Sequence, residues 1–201
     1  HKGFTKAKGG DMAIIESKND WVDAKGSKVC EDVRRLTFGT NGDSYWIDFD
    51  TTVTASEGEL VFGDTKEGSF GVRVAGSMKV TSKMGGIIVN EQGDKDVQAW
   101  GKASPWVDYV GPVKGKTVGI AIMNHPTSFR YPTYWHVRTY GLFTANPFGL
   151  HHFKNSNDID GSHKMAQGET MTLRYRVYVH QGNTEAADIA AQFEAYKSVK
   201  K

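Results

Sequence analysis

Met171-Thr172-Leu173-Arg174-Tyr175-Arg176-Val177-Tyr178-Val179-His180 is the stretch on which the reading of the fold turns. In an extended chain Met171, Leu173, Tyr175, Val177 and Val179 share one side, and Thr172, Arg174, Arg176, Tyr178 and His180 share the other. β-Branched and aromatic residues at period two make a half-buried strand, with one face to a core and one to solvent or a cleft. The pattern recurs upstream. Tyr45, Ile47, Phe49, Thr51 and Val53 alternate with Trp46, Asp48, Asp50 and Thr52. Phe70, Val72 and Val74 alternate with Gly71 and Arg73, and Val118, Ile120 and Ile122 with Gly119 and Ala121. Residues 118–122 and 171–180, the strictest of these runs, are expected at the centre of a sheet.

Turn residues punctuate the strands at Asn41-Gly42-Asp43, Glu57-Gly58, Gly85-Gly86, Gly111-Pro112 and Gly115. Short strands with no helices between them predict an all-β, antiparallel sandwich, not a parallel α/β sheet. One helix is predicted, over about 184–198. Asn183 can cap it, Glu185 lies in its first turn, and Lys197 and Lys200 lie near its end. Ala186, Ile189, Ala190 and Phe193 supply an apolar stripe, with Phe193 as the expected anchor on the sheet. From Met123 to Gly149 the alternation gives way to Pro126, Pro132, Pro147 and many aromatics, which reads as a long irregular loop of functional kind.

A chain of 201 residues fits a single domain over 1–201 and can bury a core without staples. Its 23 glycines against 5 prolines, with 11% aromatics, speak for turns between strands and against disorder. The net charge of +2 comes from scattered basic residues, so the basic stripe of a nucleic-acid binder is missing. Cys30 is the one cysteine, which rules out an internal disulfide. No apolar run approaches the roughly 20 residues of a membrane span. His1-Lys2-Gly3-Phe4 has no signal-peptide core, so the chain is read as cytoplasmic or as following a removed export signal.

Candidate chemistry gathers in three places. Four of the seven histidines, His125, His136, His151 and His152, fall between residues 123 and 152. His136 and Arg138 are two apart, so in extended chain they point the same way; imidazole and guanidinium together can bind a carboxylate, a phosphate or a sugar oxygen. The plainer account of each histidine is that it bonds loop carbonyls and orders a connection. Asp64-Thr65-Lys66-Glu67-Gly68 offers Asp64 or Glu67 as acid or base partner to a histidine, against the alternative of solvated loop charges. Trp100 and the Trp106-Val107-Asp108-Tyr109 stretch could stack on sugars, but core burial is commoner for such rings. No cofactor is predicted. No His-x-x-x-His or Cys-x-x-Cys pair is present, and adjacent histidines in a strand would point apart, so a metal ion could come only from non-local ligands. Gly-x-Ser-x-Gly, phosphate-loop and dinucleotide fingerprints are absent too, which disfavours the corresponding hydrolases, triphosphatases and oxidoreductases.

Several motifs carry a resemblance. Asp64-Thr65-Lys66-Glu67-Gly68, Gly71-Val72-Arg73-Val74, Trp106-Val107-Asp108-Tyr109, Asn124-His125-Pro126, Tyr134-Trp135-His136-Val137-Arg138, Ala145-Asn146-Pro147-Phe148-Gly149 and Tyr175-Arg176-Val177-Tyr178-Val179-His180 occur in this order. Together they resemble a bacterial family of unknown function labelled "methane oxygenase PmoA-like". The resemblance implies a β-rich sandwich similar to the galactose-mutarotase supersandwich, with a carbohydrate as partner in a periplasmic or secreted setting. It carries over Glu67, Arg73, Asp108, His125, His136, Arg138 and Asn146 as polar motif positions. Members of the family usually have a histidine-rich amino-terminal portion that this chain is expected to lack, which would leave exposed sheet edges open to self-association.

Two functions follow as expectations. One is an enzyme on carbohydrate, with His125, His136 and Glu67 in acid/base roles and Arg138, Arg73, Asn146 and Asp108 binding substrate. The other is a non-catalytic sugar-binding module in the same cleft. A copper-dependent oxygenase, as the family label suggests, is a weaker third. The catalytic reading requires His125, His136 and Arg138 to converge on one pocket, with Glu67 or Arg73 on its wall.

Overall fold

The alternating stretch at 171–180 lies within a strand running from Thr170 to Gln181, hydrogen-bonded on both sides. The computed structural model describes residues 1–201. In the first half lie β1 (Gly3–Lys8), β2 (Ala13–Val22), β3 (Lys28–Asn41), β4 (Ser44–Thr54), β5 (Leu60–Phe62), β6 (Phe70–Arg73) and β7 (Ile87–Asn90). There follow β8 (Trp106–Val113), β9 (Lys116–Asn124), β10 (Tyr134–Val137), β11 (Leu142–Asn146), α1 (Leu150–Lys154), β12 (His163–Met165), β13 (Thr170–Gln181) and α2 (Ile189–Lys197).

Eight strands form one antiparallel sheet in the order β1-β2-β3-β4-β13-β9-β8-β7, so residues 118–122 and 171–180 are central, as their alternation demands. A three-stranded sheet, β10-β11-β6, covers one face of it. Between the two lies the main core: Val107, Tyr109, Ile122, Leu173 and Tyr175 of the large sheet meet Trp135, Val137, Phe143 and Ala145 of the small one. This is an all-β antiparallel sandwich. No helix is long and apolar enough to cross a membrane.

The opposite face of the large sheet is covered by α2 over β8, β9 and the second half of β13. Trp106, Ala121, Met123 and Tyr178 pack against Ile189, Phe193 and Tyr196 of α2. The polar face of β13 from Arg176 to His180 is therefore enclosed as well, and Arg176 and His180 are each buried with a carboxylate partner. Arg176 gives Asp48, its direct cross-strand partner, two hydrogen bonds of 2.6 and 3.1 Å, and lies between the rings of Trp46 and Tyr196. His180 Nε2 faces Asp108 Oδ1 at 3.1 Å with both side chains buried.

Two local expectations need correction. The helix starts at Ile189, not near 184, because the chain first makes a separate turn. Asn183 Oδ1 accepts from the Ala186 amide (2.8 Å) in that turn, and Asp188 is the residue that caps α2, accepting from the Ala191 amide. The stretch 123–149 is not a long loop either. It holds β10 and β11, paired antiparallel with His136 opposite Thr144, and α1 follows. Strands of four and five residues around prolines are too short to establish an alternation by sequence.

Candidate functional site

Trp135 and Val137 of β10 point into the main core. The alternation of the strand therefore turns Tyr134, His136 and Arg138 outward. On β11 the register places Asn146 and Thr144 on that same outer face, and Arg73 of β6 lies opposite Leu142. Five of the seven residues singled out by sequence, Arg73, His136, Arg138, Asn146 and Glu67, thus belong to the outer side of the small sheet or to the segment beside it.

That segment is 64–68, and it is fastened to the sheet residue by residue. Asn146 Nδ2 donates to the Thr65 carbonyl (2.7 Å) while its Oδ1 accepts from the Phe148 amide (2.9 Å). His136 Nδ1 bonds the Lys66 carbonyl. Gly68 closes the segment at φ +95°, and a Cβ there would come within 2.8 Å of Thr144 Cβ, so both the backbone and the space demand glycine. A carbonyl can only accept, so His136 Nδ1 carries the ring proton and Nε2 is left with its lone pair. Burial pushes the His136 pKa below its ordinary 6.5; the Lys66 carbonyl opposes this, and the Arg138 charge adds to it. The ring is a neutral base at physiological pH.

Around His136 the chain leaves hydrogen-bond donors unused. Trp100 stands edge-on to the imidazole, with centroids 6.3 Å apart, and the Arg138 guanidinium lies 5.2 Å above the Trp100 ring. Arg138 Nε and Trp100 Nε1 are both buried and both without a partner. Orphan buried N–H groups are rare, since each costs about 1–3 kcal/mol unless an acceptor arrives. Arg73, by contrast, is exposed and lies 5.9 Å from the Tyr140 ring, and Glu67 is exposed and acts on His136 by its charge.

His125 and Asp108 are not brought to this face. His125 lies on the α2 side of the large sheet, edge-on to Tyr196. Its Nδ1 accepts from the Thr127 amide (3.2 Å), so its Nε2 is the donor, to the Val199 carbonyl at 3.2 Å. Both ring nitrogens are in use, and the thickness of the sandwich separates this ring from His136. A shared His125–His136 pocket does not form. Asp108 is fully enclosed, between His180 and the Thr184 hydroxyl (2.8 Å), where it ties β8 to the turn before α2.

A second cluster lies one residue from Phe153, which packs edge-on against Trp100 (5.5 Å) and stacks on Tyr134 (5.7 Å). Here Asp64, His151 and His152 meet. The two histidines are not in a strand but on α1, where consecutive side chains do not point to opposite faces, and their rings lie 3.6 Å apart. Leu150 and Phe153 at helical spacing after Gly149 are the sequence signal for this turn. Burial raises the Asp64 pKa, but the Gly161 and His151 amides and the His151 ring outweigh it, so the carboxyl stays below its ordinary 3.8.

A groove of about 790 Å³ opens on the other side of the 64–68 segment. Trp21, Phe49, Phe62, Phe70, Phe148 and Tyr175 line it, and the Thr51 hydroxyl is buried there without a partner.

The histidines set an acid limit on stability. His125, His136 and His163 are all lowered, each first by burial, so between their folded values and 6.5 the unfolded chain binds protons that the folded chain does not. Stability then falls as pH drops below about 6.5. His180 opposes them: burial lowers its pKa, but the bond to Asp108 more than restores it, so its contribution is present at low pH and lost as pH rises through its folded value. With three groups against one, the melting temperature is expected to fall between pH 7 and pH 5. A flat or rising profile in differential scanning calorimetry would show that burial does not dominate.

No functionally curated protein is matched by this sequence. Among solved structures, a protein provisionally described as an aldose 1-epimerase, from Escherichia coli K12, aligns with a TM-score of 0.45 at 12% identity, over 88% of this chain and 68% of that one. The Slr1438 protein from Synechocystis sp. PCC 6803 aligns with a TM-score of 0.42 at 8% identity, over 90% of this chain and 66% of that one. This chain therefore spans about two thirds of the length of each, and likenesses this loose say nothing of activity. Nothing in these matches supports a methane-oxygenase label. Residues 1–194 match the family of unknown function DUF6807, and the chain belongs to that family.

Proposed function

We propose that this protein is carbohydrate-active and holds a sugar against the outer face of the small sheet at His136, Arg138 and Trp100. The observation that carries the reading is the pair of buried donors, Arg138 Nε and Trp100 Nε1, left without acceptors beside an imidazole whose Nε2 is a free base. Ring and hydroxyl oxygens of a sugar, or the carboxylate of an acidic one, would supply those acceptors. In an epimerase-type reaction His136 Nε2 would take the anomeric hydroxyl proton as the bond from the anomeric carbon to the ring oxygen breaks, and Glu67 would relay a proton from solvent to that oxygen. Asn146 has both amide atoms committed to the backbone, so it positions the 64–68 segment and does not touch substrate.

The alternative is a sugar-binding module without catalysis, and the aromatic groove favours it, because aromatic rings beside the unpartnered Thr51 hydroxyl are what a sugar face and edge require. Calorimetric titration of a panel of mono- and oligosaccharides separates the readings. On the first, Arg138→Ala and His136→Ala each weaken binding by about 1.5–3 kcal/mol, the range for a charge-assisted hydrogen bond, measured at a temperature where both variants are folded. Polarimetry would then show anomer interconversion that His136→Ala abolishes. On the second, Phe62→Ala weakens binding while His136→Ala does not. A panel without a single binder rejects both.

A further inference from the structure

We propose that Asp64, His151 and His152 form a binding site for one divalent transition-metal cation of the zinc class. The three residues each present a ligand atom, all within 4.8 Å of one another. His151 Nδ1 faces Asp64 Oδ1 at 2.9 Å. Metal–nitrogen and metal–oxygen bonds of about 2.0–2.2 Å place two adjacent ligand atoms about 3 to 3.5 Å apart, so this pair is close to the spacing a shared cation imposes.

Asp64 supplies the independent observation. Its side chain is 9% exposed, yet Oδ1 accepts no hydrogen bond from any group of the protein, the facing imidazole being close but out of line. The other oxygen is fixed. Oδ2 accepts from the Gly161 amide at 2.5 Å and the His151 amide at 3.1 Å. Gly161 is itself held, because Arg130 Nη1 donates to its carbonyl and to that of Pro147 (2.9 Å), while Nη2 donates to Ser162 (2.9 Å). The carboxylate is thus locked by one oxygen and presents the other, with no donor aligned on it, to two imidazoles. An ordinary ion pair would align a ring N–H on that oxygen.

The sequence builds the site through α1. In a strand, His151 and His152 would diverge; on a helical turn their rings approach to 3.6 Å. Two imidazoles and one carboxylate select zinc-like ions over magnesium or calcium, which prefer all-oxygen sites. All three residues are partly exposed, which leaves coordination positions to water. The inference stands apart from the sugar reading, since it concerns a cation with no sugar present.

The test uses the whole chain, stripped with chelator and titrated calorimetrically with zinc chloride. One saturable equivalent is expected, with His151→Ala, His152→Ala and Asp64→Asn each weakening it by at least about tenfold. Cobalt(II) should give visible absorption bands that the same variants lose, and magnesium chloride should give no heat. His1→Ala and His163→Ala should leave zinc binding unchanged. Should Asp64→Asn unfold through loss of the Gly161 and His151 amides, His152→Ala alone still decides the matter. The proposal is overturned by absence of zinc binding, or by binding that survives His152→Ala and His151→Ala.

Discussion

Phe193→Ala is expected to destabilise the protein by about 3–5 kcal/mol, among the largest effects available to one substitution here. Phe193 is 6% exposed and packs with Trp106, Ala121, Met123 and Tyr178 on the back of the large sheet, between Ile189 and Tyr196 of its own helix. α2 has nine residues, too few to hold helical structure in water without tertiary support. Removing the ring therefore leaves a cavity and also loosens the element that seals that face. The turn at 183–188 remains tied through Thr184 to Asp108, so the helix would have one fixed end and no anchor at its middle. For a chain of this size the loss corresponds to a fall in melting temperature of about 10 °C. Urea unfolding checks it directly, and a loss below about 1 kcal/mol would mean that α2 is only loosely docked.

The alternation at 171–180 revealed a strand but not what lay on its second face. Period two tells which side chains share a face; whether the polar face meets water depends on what packs there later. Here α2 covers it, and the residues that looked solvent-directed, Arg176, Tyr178 and His180, are all buried. The sign of this was present in the pattern itself, since Trp46 sits on the supposedly wet face of β4 and Tyr178 on that of β13. A large aromatic among charges on each of two paired strands is hard to explain on an open face. Short elements failed for a different reason. β10 and β11 contribute much of the core, yet in four and five residues no periodicity can be told from chance.

The site divides in the same way. His136 and Arg138 could be put on one face because their spacing is two, a local relation that any extended backbone honours. Joining His125 to them required knowing which sheet each belonged to, and that is long-range information. His125 follows β9 in the large sheet, whereas His136 lies in the small one, with the main core between the sheets. Asp64, His151 and His152 show the converse. The histidines are visible as neighbours, but a strand would point them apart, and the five helical residues of α1 bring them together with a carboxylate 87 residues upstream of His151. The sequence favours the core for Trp100; the unpaired Nε1 that gives it meaning is a property of its surroundings, not of its sequence.

Asp48→Asn is expected to cost about 3–5 kcal/mol, although it changes no side-chain volume. Asp48 is buried and accepts from Arg176 Nε at 2.6 Å and Nη2 at 3.1 Å, with Lys201 Nζ at 3.0 Å. Arg176 is 8% exposed and has the Trp46 ring 4.0 Å on one side and the Tyr196 ring 4.5 Å on the other. Stacking on the rings attracts the guanidinium but accepts no hydrogen bond along its edge, so Asp48 is what offsets its desolvation. An amide in that position keeps one acceptor, turns a donor toward one of the two guanidinium donors and leaves the cation's charge uncompensated. The neighbouring Asp50 is already bonded to Lys201 and lies opposite Arg174 in the register, not opposite Arg176. A double variant separates lost attraction from stranded charge: Asp48→Asn with Arg176→Met removes the cation as well, and it should recover most of the loss. If the single variant costs as little as a surface pair, under about 1 kcal/mol, then Arg176 is reached by water and α2 does not seal this face. If the double variant is no better than the single one, the penalty is one of packing, and the pair contributes nothing beyond its shape.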